Sequence, residues 1–115
     1  MEVYRRSLKV VKQIRESVSP SATGYGSLVS QLRRAATSIS LNIAEGYGRY
    51  NAGDKRRFYL IARGSCYECA TAVELCLDAG LIDEASYSLL SRDLDEISRM
   101  LTGLARRWDQ RGKEF

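Results

Sequence analysis

Apolar residues recur at every third or fourth position through most of this 115-residue chain, the period of an α-helix and not of a strand. Four amphipathic segments are predicted, at about 3–18, 27–46, 54–79 and 83–108. In the first, Tyr4, Leu8, Val11, Ile14 and Val18 share a stripe, which "SPSATGYGS", with the sole proline Pro20, interrupts. Ser27 is a fair N-cap for the second, where Leu28, Leu32, Ala36, Ile39 and Ile43 follow at spacings of four, four, three and four. Gly46 and Gly48 suit a left-handed turn at its end. The third is expected to be capped by Asp54 and to face inward with Phe58, Ala62, Ser65, Cys69, Ala72 and Cys76 before Gly80 ends it. Asp83 caps the fourth, where Tyr87, Leu90, Leu94, Ile97, Leu101, Leu104 and Trp108 alternate by three and four, as in a coiled-coil seam.

Short connections between helices this long make consecutive helices antiparallel neighbours. The expected fold is therefore all-α, a single up-down-up-down four-helix bundle over residues 1–115, with helices roughly 24–39 Å long at 1.5 Å per residue. The polar tail "DQRGKEF" is expected to fray.

Composition narrows the chemistry. Hydrophobic residues make up 44% of the chain, yet no apolar run approaches the roughly 20 residues that span a bilayer. The opening "MEVYRRSLKV" has no continuous apolar core of the kind a secretory signal needs, so the expected compartment is the cytoplasm, with no membrane partner. Histidine is absent, which removes the commonest general base and metal ligand together. Cys66, Cys69 and Cys76 lack a fourth ligand for zinc, and their C-x-x-C follows no strand, so they read as small buried apolar side chains and no cofactor is expected. The two "GYG" runs, at 24–26 and 46–48, follow no strand and carry no P-loop lysine, and they read as turns.

The segment "SISLNIAEGYGR", 38–49, is unusually polar for the middle of a bundle. Asn42 and Glu45 lie three apart and share a helix face, among the small residues Ser38, Ser40, Ala44 and Gly46. The third helix offers a matching set in Ala62, Gly64 and Ser65. A mid-helix glycine costs about 1 kcal/mol relative to alanine, so Gly64 suggests a close backbone approach. Buried polar groups would then need partners across the gap, and Glu45 has three on offer: Arg49, Arg63 or a hydroxyl of the third helix. A catalytic Glu45 lacks a second acid, a base or a metal; the segment reads as a packed helix junction, and the chain as no enzyme.

At these residues the chain becomes similar to a known family. "QLRRAATSISLNIAEGYGR", followed by "FYLIARGSCYECATAVELCLDAGLI", resembles the four-helix-bundle family of the 23S rRNA intervening-sequence protein. The family pattern is Gln-Leu-Arg-Arg-Ala, Ser-Ile and Asn-Ile-Ala-Glu-Gly, then Phe-Leu-x-Ile-Ala-x-Gly-Ser-x-x-Glu about ten residues on. Those features fall on 31–35, 38–39, 42–46 and 58–65, with Glu68 closing the set; Cys66 and Cys69 replace the usual leucines. The resemblance implies a homo-oligomer, typically a ring of five bundles. It also implies kinship with the accessory proteins of diversity-generating retroelements, which bind nucleic acid beside a reverse transcriptase.

Charge supplies the functional expectation. An antiparallel bundle brings residues 1–9, 45–63 and 99–115 to one end, with 13 Lys/Arg against 5 Asp/Glu, while the remainder holds 5 against 9. A formal net charge of +4 thus conceals a strongly polar molecule. Arg106 and Arg107 near a helix C-terminus suit the helix dipole, but Lys55, Arg56 and Arg57 in a first turn, and Arg5 and Arg6 in another, oppose it. Cations so placed, beside free backbone N–H groups, make an anion site that ring symmetry would multiply. Tyr47 and Tyr50 flank Arg49 and offer faces to unpaired bases, or else pack at a helix end. The expected function is RNA or DNA binding by this end through Arg5, Arg6, Arg49, Lys55, Arg56, Arg57, Arg106 and Arg107; the alternative is a protein-interaction scaffold, with a reverse transcriptase as one plausible client.

Overall fold

The computed structural model describes residues 1–18 and 24–109, and among them only helices occur as regular structure. The helices are α1 (Glu2–Ser17), α2 (Gly26–Tyr47), α3 (Ala52–Asp78) and α4 (Glu84–Arg107). Pro20 and most of the tail expected to fray lie outside the described residues. Each helix packs on its neighbours in sequence and α1 closes against α4, giving a four-helix bundle about 55 Å long and 20 Å across. Packing is most extensive between α2 and α3 and least on α1.

The seam of α4 turns inward where its periodicity placed it, with Leu90, Leu94, Ile97 and Leu101 buried. The stripe of α1 holds at Ile14 and Val18 and is displaced by one position over its first three members. Val3, Ser7, Val10, Ile14 and Val18 are buried, whereas Leu8 is 44% exposed. Ser7 disguises the true stripe, and it is tolerated in the core because its hydroxyl is bonded twice: it donates to the Tyr4 carbonyl at 2.6 Å and lies 2.8 Å from the Ser40 hydroxyl of α2. On α3 the inner residue of the first turns is Tyr59 and not Phe58, which stays half-buried.

Two caps differ from expectation. Helix α2 begins after Tyr25 with no side-chain cap, so Ser27 lies inside the helix. Helix α3 begins earlier than Asp54, because the Asn51 side chain accepts from the Gly53 and Asp54 amides at 2.8 and 3.3 Å. Asp83 caps α4 as read, accepting from the Ser86 amide at 2.7 Å, and that bond lowers its carboxyl pKa. At the end of α3, Gly80 takes a left-handed φ of +75°, the Gly80 amide donates to Leu77, and the Leu81 amide donates to Cys76. That pair of bonds is a Schellman stop.

The glycines of the α2–α3 junction act otherwise than expected. Gly46 is helical and Gly48 has φ −81°, so neither makes a left-handed turn. A Cβ on Gly46 would lie 2.7 Å from the ring of Tyr59, so this is the site of close approach; a Cβ on Gly64 would meet nothing within 4 Å. The small residues were the right signal for intimate packing, but it was assigned to the wrong glycine.

Candidate nucleic-acid interface

One end of the bundle gathers four helix termini. Lys55, in the first turn of α3, reaches the last residues of α2 and lies 5.4 Å from the Trp108 ring just past α4. A shallow surface between Val3 and Leu104 joins the start of α1 to the last turns of α4. The described parts of the three expected segments, 1–9, 45–63 and 99–109, carry 11 Lys/Arg against 4 Asp/Glu.

Within this set the cations divide by what already holds them. Arg5 pairs with Glu2 at 3.3 Å, and Arg6 pairs with both Glu2, at 3.1 Å, and Glu96 of α4. The Glu2 hydrogen bond, with the Glu96 charge next, raises the pKa of the Arg6 guanidinium. Arg49 pairs with Glu45 at 3.1 Å, one turn earlier, and Arg57 with Asp54 at 3.8 Å. Arg56, Arg106 and Arg107 have no carboxylate within ion-pair distance among the described residues.

Lys55 has a second occupation that its own helix does not reveal. Its ammonium donates to the Tyr47 carbonyl at 2.9 Å and the Gly46 carbonyl at 3.2 Å, two of the terminal acceptors of α2. A cation that opposes the dipole of α3 is thus well placed against that of α2. The expectation that all three charges of "DKRR" stand against a dipole is corrected for Lys55. The sequence signal was available only in three dimensions: a lysine eight residues after Tyr47 reaches back across a tight connection.

Aromatic side chains fill the space between these cations. The guanidinium carbons of Arg49 and Arg57 lie over the Phe58 ring, 4.8 and 4.4 Å from its centroid, and Lys55 stands 5.8 Å from the Tyr47 ring. Tyr47 is exposed and Tyr50 wholly so, at 102%. Phe58, read from the sequence as core, is instead the centre of this stack.

The polar signature of α2 is a junction, with one correction. The Asn42 amide donates to the Ser38 carbonyl and hydroxyl at 2.9 and 3.1 Å, and the Ser38 hydroxyl meets that of Ser65 on α3 at 2.8 Å. Glu45, in contrast, is exposed and has chosen Arg49; it strands no buried partner if removed. Arg63 instead donates to the Thr102 hydroxyl of α4 at 3.2 Å. The three cysteines are free and buried, and burial pushes the thiols of Cys66 and Cys69 up to about 12, so both stay protonated and apolar at neutral pH. Among the described residues no group of three or more His, Cys, Asp or Glu side chains is placed to hold a metal ion, and no described helix is long and apolar enough to cross a membrane.

Comparison with known proteins gives the arrangement a context. A family model described as 23S rRNA-intervening sequence protein matches residues 1–103. Among solved structures, the chain is similar to a crystal structure of a protein of unknown function from the S23 ribosomal protein family of Bacteroides thetaiotaomicron, with 23% identity and a TM-score of 0.82 over 90% of this chain and 97% of that one. At that identity the likeness speaks for the fold alone. No curated relative matches the chain.

Proposed function

The chain belongs to the 23S rRNA-intervening sequence protein family, and from that premise we propose that it is a non-catalytic protein binding nucleic acid, RNA or DNA, through its basic end. The observation that carries this reading is the sorting of charge there. Arg56 lies in the first turns of α3 and Arg106 and Arg107 in the last turn of α4, termini that the Lys55–Trp108 contact brings together, and no described carboxylate lies within ion-pair distance of the three. Phosphate oxygens are the ligands that guanidinium groups of this kind take bidentately. The alternation of starts and ends at that pole supports an antiparallel up-down-up-down bundle. Glu45, the acid that came nearest to a catalytic candidate, is spent on Arg49.

We further propose a homo-oligomeric ring, of five copies as the resemblance implies, working in the cytoplasm. Its support is a mainly apolar groove between α2 and α3, with Leu28, Ala35, Tyr67, Ala72 and Leu75 on its walls and Leu41 exposed beyond it. The same groove favours the second reading, a scaffold for another protein such as a reverse transcriptase.

Salt separates the two readings. Replacing Arg56, Arg106 and Arg107 together by glutamine is expected to weaken binding to unrelated sequences alike. It should also flatten the dependence of log K on log salt by about 0.7 per lost contact for single strands. A Glu74→Gln, Asp78→Asn control, in the last turns of α3, should bind as wild type does. Unchanged affinity and slope in the triple variant, measured by fluorescence anisotropy, would remove the basic end as the site.

A further inference from the structure

We infer that the α2–α3 connection is a stacking platform for unpaired nucleobases, so that the basic end takes single-stranded nucleic acid in preference to duplex. The inference rests on the nucleic-acid reading above and adds what part of the ligand is held.

Four observations converge on residues 47–58. First, Tyr47 and Tyr50 present their rings to solvent in one short connection, and Tyr50 touches nothing that would explain its position. Isolated exposed aromatics are common, but two flanking an arginine form the pattern on which bases stack. Second, Arg49 and Arg57 each have an aromatic ring and a carboxylate as partners. Each lies over the Phe58 ring while a carboxylate, Glu45 or Asp54, holds its edge, and the side chains keep 44% and 58% of their surface open. A guanidinium plane fixed in this way offers its face to a base as an aromatic ring does.

Third, the same carboxylates cancel much of the local charge. Arg49 and Arg57 are therefore weak phosphate ligands but undiminished stacking groups, and the phosphate-binding task falls to Arg56, Arg106 and Arg107 nearby. Fourth, Tyr50 lines a shallow groove together with Leu41, Ala44, Arg49 and the acidic Glu45 and Asp54. Two carboxylates among apolar side chains disfavour a phosphate and suit a base, whose amino and imino groups donate hydrogen bonds. In a duplex those faces and edges are occupied by stacking and pairing, so only unpaired nucleotides satisfy the site.

The test uses Tyr50→Ala, which removes no contact within the folded chain, together with the rescue variant Tyr50→Phe. Probes are an unstructured 15-nucleotide RNA, the same sequence as DNA, and the blunt duplex of that DNA, all read by fluorescence anisotropy at one low salt concentration. Tyr50→Ala is expected to lose roughly five- to hundredfold in affinity for both single strands, with the salt slope unchanged. Duplex affinity should stay at the wild-type value, and Tyr50→Phe should restore single-strand binding. Loss on RNA alone, unrestored by Tyr50→Phe, would assign Tyr50 a hydrogen bond to the 2′-hydroxyl and overturn the stacking site. Equal loss on all three probes, or none on any, overturns the stacking site whatever the arginine variant does. A wild type that binds no probe overturns the nucleic-acid reading itself, and this inference with it.

Discussion

Gly46→Ala and Gly64→Ala, the same exchange in adjacent helices, are expected to shift stability in opposite directions. Alanine at position 46 would put a methyl group 2.7, 2.9 and 3.2 Å from three ring carbons of Tyr59. That ring is only 2% exposed, so it cannot swing away into solvent. Overpacking of this kind costs about 1–3 kcal/mol, from which about 1 kcal/mol of regained helix propensity is subtracted. Valine at the same site adds two further methyls, loses most of the propensity gain and falls at the upper end of the range or beyond it. At Gly64 the added methyl meets nothing, and the propensity gain of about 1 kcal/mol stands alone. Urea titrations with equal m-values would read both shifts as changes in midpoint. If Gly46→Ala proves as stabilising as Gly64→Ala, Tyr59 does not fill the space assigned to it.

The second large effect is expected at Lys55. Lys55→Met keeps much of the stem that crosses Tyr47 and Trp108 but removes the ammonium from the Gly46 and Tyr47 carbonyls. Those carbonyls are at a partly wetted helix end, so water replaces some of what is lost; a cost of about 1–2 kcal/mol is appropriate. For a domain of this size each kcal/mol lowers Tm by roughly 4–8 °C. Arg56→Gln, one residue away, removes a cation that no described carboxylate holds and that opposes its own helix dipole, so its stability should be unchanged or slightly raised. The contrast between neighbours is the diagnostic. A Lys55→Met protein that melts with Arg56→Gln would show that the lysine caps nothing.

These two sites also mark where the sequence was legible and where it was not. Periodicity located four helices, and on α4 it located the buried face as well, because Leu90, Leu94, Ile97 and Leu101 form an unbroken apolar seam. On α1 the same reasoning finds Ile14 and Val18 but puts Tyr4, Leu8 and Val11 where Val3, Ser7 and Val10 are buried, since hydropathy cannot see that the Ser7 hydroxyl has partners at Tyr4 and Ser40. Charge on one helix was weighed against that helix's own dipole, yet Lys55 answers to α2. Likewise the three-residue spacing from Asn42 drew Glu45 into the junction, when it stands outside, paired with Arg49, and the part-buried link runs through Asn42, Ser38 and Ser65. In each case the missing quantity was a distance between residues on different turns or helices, which spacing along the chain does not contain. The basic pole was legible because it is a sum over many residues and survives errors in any one of them.

The short α1 has a consequence for the order in which the molecule comes apart. It spans 16 residues against the 27 of α3, and its main contacts, with α2 and α4, are less extensive than those that α3 makes. The extensive packing of α3 on α2 and on α4 does not involve α1, so those contacts survive if α1 lifts away. The lowest-energy partial opening is then release of the N-terminal helix as one cooperative unit. In native-state hydrogen exchange, the amides of Val10 to Ile14 should lose protection at a lower denaturant concentration than those of Ile39 to Ile43. If all four helices exchanged together at the global unfolding energy, α1 would be as integral to the fold as the rest. A detachable first helix would also uncover Ser40 and the flank of α2 beside it, breaking the Ser7–Ser40 contact together with the burial of Val3, Val10 and Ile14.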